Sequence, residues 1–405
     1  HSICRGDRPR RAFNLPVAAA RTGQIQSPQT MSKQILLALA MCAPSFGQTV
    51  IDGSTVLAVS RQEPPAVQKA AEDLARDLET VLGRRLQRAE RAPRQGTAIV
   101  VALRENVPLW LQRPREPEAL LVQERGGQVV LTGTDVRGTI YAIYRFSQLQ
   151  LGVDPLWWWT DFTPPRKRRI TVAAGRRLSE GTPTFRHRGW FINDEDLLTG
   201  WKPGTADGTG IALEVWDRIF EALLRLKGNM IVPGTFIFPN EPQVKAASER
   251  GLIITQHHIE VLGTNTWKWP DEAPYSFAQY PQVLKNAWRN SMRGYGKEQE
   301  VIWTAGYRGR HDRAFWLDDK SIPPTEEARA AAIRQAIDAQ IGIVKAERAA
   351  PRFIMNAWME AVPFIQKGLL QLPEGVTLVW PDNGHGLIRD GGRIAAGQGV
   401  YYHTA

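Results

Sequence analysis

From residue 184 onward the sequence repeats one pattern, in which an apolar segment is followed by a polar loop and an amphipathic helix. The apolar segments predict seven strands, at Arg188–Asn193, Asn229–Gly234, Leu252–His258, Glu300–Tyr307, Arg352–Trp358, Val376–Asp382 and Gly399–His403. Helical periodicity fills the intervals, most clearly in Ile211–Gly228 and Thr325–Arg348. Strands that alternate with helices build parallel sheets, and a long run of them is typical of a (β/α)8 barrel. We therefore predict a TIM-type (β/α)8 barrel over residues 184–405.

The pattern stops one strand short of a closed barrel, because Ala405 lies two residues after the seventh strand. A barrel that is open between its seventh and first strands exposes two unpaired edges, which is unfavourable. We therefore expect the barrel to be incomplete and truncated near strand 7, in a C-terminally truncated piece of a longer protein. Such a piece is expected to be poorly soluble or inactive by itself.

Residues 48–163 have the pattern of a smaller α/β domain. The predicted strands are Thr55–Ser60, Thr97–Leu103, Ala119–Glu124 and Gln128–Gly133, and the predicted helices are Pro64–Gly83 and Val136–Gly152. No glycine-rich phosphate loop opens either helix, which argues against a nucleotide site. The predicted fold class is therefore α/β, with a small N-terminal α/β domain followed by an incomplete (β/α)8 barrel.

The formal net charge of +10 lies in two short segments of the chain. Residues 1–30 contain five arginines and one aspartate, and Pro165–Arg177 contains six basic residues and no acid. The remainder is neutral overall and has no long basic face or nucleic-acid-binding motif, so we predict no nucleic-acid partner. We interpret residues 164–183 as a solvated linker. The tryptophan run before it, Trp157–Trp159, is predicted to pack one domain on the other.

The first methionine, Met31, begins a segment with the outline of a secretory signal peptide. Residues 31–47 combine a lysine, an apolar run too short to cross a bilayer, and small residues near the end. Residues 1–30 are then an upstream or disordered extension, with a native basic extension as the alternative. The protein is predicted to be secreted or periplasmic, without membrane association in its mature form. Both cysteines fall in this removable region, so the mature chain is predicted to hold no disulfide, thiolate metal site or cysteine nucleophile.

Polar side chains follow nearly every predicted strand of the barrel, on the face where this fold carries its chemistry. In chain order they are Asn193, Asp194, Glu195 and Asp196; His257, His258 and Glu260; Arg308, His311 and Asp312; Glu360; Asp382, Asn383 and His385; and Tyr401, Tyr402 and His403. Any single acid among them can be a helix cap or a solvated loop residue. A set of them at successive strand ends indicates one shared site.

This set of residues favours glycosidic bond cleavage. The chain has several acids but no G-x-S-x-G nucleophile elbow, which argues against acyl transfer. Two carboxyl groups, one protonated and one ionised, are what hydrolysis of a glycosidic bond requires. Arginine and histidine suit an anionic sugar. A metal site is the weaker alternative, because His257 and His258 are adjacent and would point to opposite sides of a strand. We therefore expect no metal and no cofactor.

Six successive motifs resemble those of glycoside hydrolase family 115, the xylan α-1,2-glucuronidases. They are RGWFINDED, LLRLKGNMIVPGTF, ERGLIITQHHIEVL, GYRGRHD, NAWMEAVPFIQKGLLQLPEGVTLVWPDNGHGLIR and GVYYH. The motifs follow the family's order, and the resemblance as a whole covers roughly residues 50–405. Three departures stand out. Val232 replaces a usual tryptophan, Ile259 is inserted before Glu260, and PDNGHG replaces a D-D-N sequence and so has one acid fewer. They bear on the exact substrate more than on the reaction class.

The resemblance implies a glycoside hydrolase that removes (4-O-methyl)glucuronic acid branches from xylan by an inverting acid/base mechanism. By position it makes Glu360 and Asp312 the catalytic candidates, with Glu360 as the acid and Asp312 as the base that activates water. The residues expected to bind the substrate are Asp194, Glu195, His257, His258, Arg308, Asp382, Asn383 and His403. The expected partner is a polysaccharide or oligosaccharide such as glucuronoxylan.

Two other functions stay open at this point. One is hydrolysis of another α-linked sugar. The other is a non-catalytic carbohydrate-binding relative, which the altered sequence around Asp382 permits and the presence of both Glu360 and Asp312 disfavours. The sequence also leaves open a homodimer.

Overall fold

The computed structural model describes residues 47–193, 198, 211–390 and 394–403. The predicted extension at residues 1–30, nearly all of the predicted signal peptide at residues 31–47, and the candidate site residues Asp194 and Glu195 lie outside the described residues. The helices within those ranges include none with the length and apolar character that a membrane span requires.

The described part of the N-terminal half contains eight strands and two helices. The strands are β1 (Gln48–Ile51), β2 (Val56–Val59), β3 (Gln87–Ala89), β4 (Ala98–Val101), β5 (Leu120–Arg125), β6 (Gln128–Gly133), β7 (Ile170–Ala173) and β8 (Arg177–Glu180); the helices are α1 (Pro65–Leu82) and α2 (Val136–Phe146). A π-helical turn, Ser147–Leu151, extends α2. Six strands form one sheet in the order β3-β2-β4-β6-β5-β8, and β1 pairs with β7.

Helix α1 shows how the sequence specifies this half. Its apolar residues recur at helical spacing and are buried, including Val67, Leu74 and Leu78. The helix begins next to Pro64, and it ends where Gly83 takes a left-handed φ of 72° and donates its N–H to the carbonyl of Glu79. The predicted helix bounds, Pro64–Gly83, are therefore confirmed to within one residue at each end.

The interpretation of residues 164–183 as a solvated linker is wrong for two parts of that segment. Strand β7 pairs antiparallel with β1, and β8 pairs antiparallel with β5 at the edge of the main sheet. In β7 the side chains of Ile170 and Val172 are buried while their neighbours are exposed, which is the alternation of a half-buried strand. The basic residues flank these short strands, and their charge obscured the alternation.

The C-terminal half alternates strands and helices. The strands are β9 (Gly189–Phe191), β10 (Met230–Val232), β11 (Ile253–Ile254), β12 (Ile302–Thr304), β13 (Arg352–Asn356), β14 (Val376–Pro381) and β15 (Gly399–Tyr401). The helices are α3 (Leu213–Arg225), α4 (Pro242–Glu249), α5 (Pro281–Gly294), α6 (Glu326–Lys345) and α7 (Ala361–Gln366). Each of the seven strands lies within a segment that the sequence predicted to be a strand.

All seven strands are parallel and follow one another in sequence order. Strands β9, β10 and β11 form one sheet, β12 to β15 form another, and a parallel bridge between Ile254 and Val301 joins the two. In the described part of the chain no hydrogen bonds pair β15 with β9, so the sheet is not a closed barrel. The rings of Phe191 and Tyr401, at the ends of these two strands, lie 5.9 Å apart. The sheet therefore curves until its two edges approach each other.

A buried cluster of charged side chains joins the two halves. It consists of Asp73, Arg76 and Asp77 from α1, Asp217, Glu221 and Arg225 from α3, and Arg250 after α4; we call it the interdomain charge cluster. Arg225 contacts Asp77 at 2.7 Å and Glu221 at 2.8 Å. Arg250 contacts Asp73 at 2.7 Å. Trp157 lies against it, since its indole N–H donates to Glu221 at 3.2 Å. The predicted role of the tryptophan run in packing the halves together is thus confirmed for Trp157.

A second set of ion pairs lies near the amino ends of the parallel strands. Glu118 of the N-terminal half accepts hydrogen bonds from Arg137 at 2.7 Å and from Arg188 at 2.6 Å. Arg137 also contacts Glu300, which in turn contacts Arg352 at 2.6 Å. Arg188 directly precedes β9, Glu300 lies just before β12, and Arg352 begins β13. The N-terminal half therefore supports the amino end of the sheet, opposite the polar strand ends.

Candidate active site

Among the described residues, those predicted to be catalytic or to bind the substrate lie on the carboxyl side of the parallel sheet. The described members are His257 and His258 after β11, Arg308 and Asp312 after β12, Glu360 after β13, Asp382 and Asn383 after β14, and His403 after β15. Most of them are linked to one another by the contacts given below. We call this set the rim site.

Arg308 is the centre of the rim site. The residue is 8% exposed, and its guanidinium contacts both candidate catalytic residues. Nη1 donates to Oε2 of Glu360 at 2.5 Å, while Nη2 donates to the carbonyl oxygen of Asp312 at 2.8 Å and lies 2.9 Å from its Oδ1. One guanidinium therefore holds the two carboxyl groups close to each other.

Hydrogen bonds with buried side chains hold the loop that carries Arg308 and Asp312. Gln340 of α6 is fully buried, and it accepts a hydrogen bond from the N–H of Gly306 at 2.9 Å and donates one to the carbonyl of Gly306 at 2.7 Å. The hydroxyl of Tyr275 donates to the carbonyl of Arg308 at 2.5 Å. Asp312 has a left-handed φ of 54°, a conformation that costs about 1–3 kcal/mol in a residue other than glycine. The surrounding contacts therefore hold a strained backbone at this position.

Glu360 follows the carboxyl end of β13, and its side chain is mostly buried beside Arg308. Its side chain is 9% exposed, and burial raises the pKa of its carboxyl group although the charge of Arg308 opposes that rise. Within the described residues, Oε1 is buried and has no hydrogen-bond partner. A carboxyl group in this environment retains its proton to higher pH than an exposed glutamate does, which suits a general acid.

Asp312 has the opposite electrostatic character. Burial tends to raise its pKa, but the hydrogen bond with His258 and the charge of Arg308 outweigh burial and hold the pKa below its usual value. The Nε2 of His258 lies 3.0 Å from Oδ1 of Asp312. Burial lowers the pKa of His258 itself, so the imidazole is neutral and donates this hydrogen bond. Asp312 is thus kept ionised, as a base must be.

His257 and His258 both face the site, which corrects one argument made from the sequence. Strand β11 ends at Ile254, so the two histidines lie in the turn after it and do not alternate across a sheet. Their ring centroids are 3.9 Å apart. Burial lowers the pKa of His257 to about 2, and the charge of Arg308 adds to this effect. In the described ranges, no three histidine, aspartate, glutamate or cysteine side chains are grouped so that they could hold a metal ion.

Asp382 and His403 join the ends of the last two strands. The Nδ1 of His403 contacts Oδ1 of Asp382, and the backbone N–H of Gly386 donates to Oδ2 at 3.2 Å. The amide oxygen of Asn383 accepts from the backbone N–H of His385 at 2.9 Å. These contacts fold the loop after β14 onto itself and fix the imidazole of His403 beside the sheet.

A cavity of about 650 Å³ opens beside these residues, and it is lined by residues of six of the seven parallel strands and of the turn that follows β11. His257, His258, Asn356 and Tyr401 contribute its polar lining near the rim site. A separate cavity of about 20 Å³ is lined by His258, Arg308 and Glu360, among others, and has room for a water molecule. The first has the volume typical of small-molecule sites.

Comparison with known proteins places the chain in a family. The model of the family described as "Glycosyl hydrolase family 115" matches residues 180–405, more than half of the chain. The chain belongs to glycosyl hydrolase family 115. No curated protein matches the chain.

The solved structures similar to this chain include another family 115 protein. It is a 4-O-methyl-α-glucuronidase, BtGH115A, described as specific for decorated arabinogalactans; the two are 27% identical with a TM-score of 0.74, and the match covers 87% of this chain and 49% of that protein. The chain thus spans about half the length of this relative. The N-acetyl-β-hexosaminidase of Streptomyces plicatus (11% identity, TM-score 0.52, 89% of this chain and 72% of that one) shares only the fold. So does the chitobiase of Flavobacterium johnsoniae (12% identity, TM-score 0.52, 84% and 54%).

Some residues of the family 115 motifs lie in the rim site, and others support the amino end of the parallel sheet. Arg188, which opens the first motif, lies among the ion pairs at the amino end of the sheet, whereas Arg308 and Asp312 of the fourth motif lie in the rim site. Reasoning from the sequence missed Trp358, whose ring stacks on that of His258 with 4.1 Å between centroids. Its position two residues before Glu360, at the end of a predicted strand, was the available signal. It also missed Gln340, which lies inside a helix and gave no signal.

Proposed function

We propose that this protein is a secreted or periplasmic glycoside hydrolase that removes (4-O-methyl)glucuronic acid branches from a plant polysaccharide by an inverting acid/base mechanism. Membership of family 115 supports the reaction class. The observation that carries the mechanism is the pair Glu360 and Asp312, whose environments move their pKa values in opposite directions around one shared arginine. Two carboxyl groups with separated pKa values are the arrangement that acid/base hydrolysis of a glycoside uses.

In the proposed reaction the protonated Glu360 lies on the leaving-group side of the sugar. It donates its proton to the glycosidic oxygen as the bond to the anomeric carbon breaks. Ionised Asp312 accepts a proton from a water molecule, and the water oxygen attacks the anomeric carbon from the opposite face. The products are the free uronic acid with inverted configuration and the unbranched main chain. His258 assists by holding Asp312 ionised and oriented.

We further propose that the uronic acid binds among His257, Asn383 and His403, with Asp194 and Glu195 as additional ligands. Arg308 was expected to bind the substrate, and its contacts with Glu360 and Asp312 favour a positioning role instead. This arrangement fits an incomplete (β/α)8 barrel, whose chemistry lies at the carboxyl ends of its strands. Seven parallel strands in sequence order support that interpretation.

Xylan is the proposed main chain, and the similar 4-O-methyl-α-glucuronidase makes decorated arabinogalactan a second candidate. The test is release of (4-O-methyl)glucuronic acid from glucuronoxylan and from arabinogalactan, compared between the full-length protein and its Glu360→Gln variant. We expect release from one of them and its loss in the variant. Release that survives Glu360→Gln would reject the assignment of the acid. Binding of either polysaccharide without any release would favour a non-catalytic carbohydrate-binding protein, and release of a different sugar would favour the remaining alternative.

A further inference from the structure

Three aromatic side chains lie on the carboxyl side of the parallel sheet, in the loops that follow β10, β11 and β12. Phe236 follows β10, Trp267 follows β11, and His311 follows β12. The ring centroid of Trp267 lies 4.5 Å from that of Phe236 and 4.7 Å from that of His311. The three rings therefore form one contiguous group, which we call the aromatic stack. Its third member, His311, is the residue directly before Asp312 in the chain.

The rings of the aromatic stack face solvent although the loops that carry them are packed. Phe236 is 37% exposed and Trp267 is 40% exposed. Trp267 comes directly after fifteen consecutive buried residues, at positions 252–266. An exposed tryptophan at the end of a buried loop forgoes the stabilisation that burial of a large ring would give. An apolar surface of this kind beside a polar site is typical of ligand binding.

The chain holds the aromatic stack in place by strained and hydrogen-bonded loops. Phe236 and His311 have left-handed φ values of 59° and 52°, which bulky residues rarely adopt. Asn265 is buried and connects the two loops, because its Nδ2 donates to the carbonyl of Phe236 and its Oδ1 accepts from the N–H of Lys268 at 3.0 Å. The rings are thus positioned before any ligand arrives, which lowers the entropic cost of binding.

We propose that the aromatic stack binds neutral main-chain pyranose units of the branched polysaccharide while the uronic acid branch occupies the rim site. This inference rests on the proposed function. The acidic branch requires the buried polar groups of the rim site, whereas an uncharged main chain remains partly in solvent. The apolar face of a pyranose ring packs on an aromatic ring without needing a charged partner. The contact between His311 and Trp267 places such a surface next to the proposed base.

The test compares Trp267→Ala, Trp267→Phe and the control Phe162→Ala, which removes a ring of the N-terminal half that is 46% exposed. Binding of unbranched β-1,4-xylo-oligosaccharide and β-1,3-galacto-oligosaccharide is measured by calorimetry. We expect the unsubstituted protein to bind one of them, which identifies the main chain. We expect Trp267→Ala to weaken that binding about tenfold, equivalent to about 1.4 kcal/mol. Trp267→Phe should keep most of the affinity, and Phe162→Ala should bind as the unsubstituted protein does.

A kinetic comparison separates this inference from the proposed function. The ratio of kcat/KM on the branched polysaccharide to kcat/KM on an aryl α-glucuronide should fall about tenfold in Trp267→Ala. An unchanged ratio, or unchanged oligosaccharide binding, overturns the role of the aromatic stack. Absence of turnover on every glucuronide would instead reject the proposed function, and the calorimetric result would still decide whether the aromatic stack binds a main chain.

Discussion

Arg308 contacts both candidate catalytic carboxyl groups, yet their pKa values move apart. The difference comes from what else surrounds each group. Glu360 is buried with one oxygen that no described residue hydrogen-bonds, and burial dominates. Asp312 is more exposed and has His258 as a second partner, so favourable interactions with its charge dominate. A single arginine can thus hold two carboxyl groups together without giving them the same protonation state.

This difference predicts the pH dependence of catalysis. The value of kcat/KM should rise with pH as Asp312 ionises, below the usual pKa of aspartate, and should fall as Glu360 loses its proton, above the usual glutamate value of 4.5. Glu360→Gln should lower kcat/KM on the polysaccharide by about 10²–10⁴ and remove the alkaline limb, because no proton donor remains to titrate.

Substrates whose leaving groups differ in acidity distinguish the role of Glu360 as the acid from that of Asp312 as the base. An aryl glucuronide with an acidic phenol leaves without protonation, so Glu360→Gln should retain much more activity on it than on the polysaccharide. Asp312→Asn should lose activity equally on both substrates, since each needs the activated water. The control is Glu374→Gln, an exposed glutamate before β14. Equal losses for Glu360→Gln on the two substrates would contradict its role as the acid.

At the residue scale the sequence predicted positions better than contacts. The spacing of polar residues after each strand placed Arg308, Asp312 and Glu360 on one side of the sheet, where the structure has them. It could not predict that Arg308 contacts both acids, because that depends on the left-handed backbone at Asp312 and on support from Gln340. Neither feature has a local signal in the sequence.

At the scale of elements, β9 and β10 approach each other unusually closely at Gly189. A Cβ atom at this position would lie 2.5 Å from the carbonyl oxygen of Met230, an overlap that only movement of the backbone could relieve. The two strands pair in parallel from Gly189 and Met230 onward, so they lead directly to the rim site. The glycine in the first family 115 motif therefore has a packing function.

Gly189→Ala is accordingly expected to lower the free energy of unfolding by about 1–3 kcal/mol, the cost of overpacking a tight contact. Gly342→Ala is the matched control, since Gly342 lies inside α6 with no atom within 4 Å of its added Cβ. That substitution should raise the free energy of unfolding by about 0.5–1 kcal/mol, because alanine favours a helix. Urea unfolding measures the free energy of unfolding of both variants. If Gly189→Ala left it unchanged, β9 and β10 would be able to move apart enough to accommodate the added methyl group.

Strands and helices with a clear apolar pattern were predicted from the sequence, and the two strands beside the basic run were not. The seven parallel strands and helices α1 and α6 follow their apolar patterns. Strands β7 and β8 were missed because four residues beside a basic run give too few alternations to recognise. Strand β11 is only two residues long, so the predicted segment Leu252–His258 extended a strand into the turn that presents the two histidines.

For the whole molecule, the two halves depend on each other through buried charges. Glu221 of α3 contacts Arg76 of α1 at 2.6 Å and Arg225 at 2.8 Å, and its side chain is only 2% exposed. Arg250 and Asp73 are 177 positions apart in the chain. No local pattern in the sequence marks such pairs, which is why the sequence predicted two domains but not how they are joined.

The interdomain charge cluster predicts how stability depends on pH. Burial tends to raise the pKa of Glu221, but the charges of Arg225, Arg76, Arg250 and Arg218 outweigh burial and depress it well below the model-compound value of 4.5. The hydrogen bond and charge of Arg250 likewise outweigh burial and lower the pKa of Asp217. Because both folded-state values are depressed, these groups stabilise the folded protein fully above pH 4.5 and lose that contribution as the pH falls.

We therefore expect the free energy of unfolding to decline steeply below about pH 4.5. Glu221→Gln should lower it by about 3–5 kcal/mol at neutral pH, since buried arginines would lose their partner, and should make the decline toward acid shallower. Glu79→Gln, an exposed glutamate on α1, is the control and should change it by less than about 0.5 kcal/mol. Urea unfolding at several pH values tests this. If Glu221→Gln and Glu79→Gln gave the same pH dependence, the interdomain charge cluster would not be what couples the two halves.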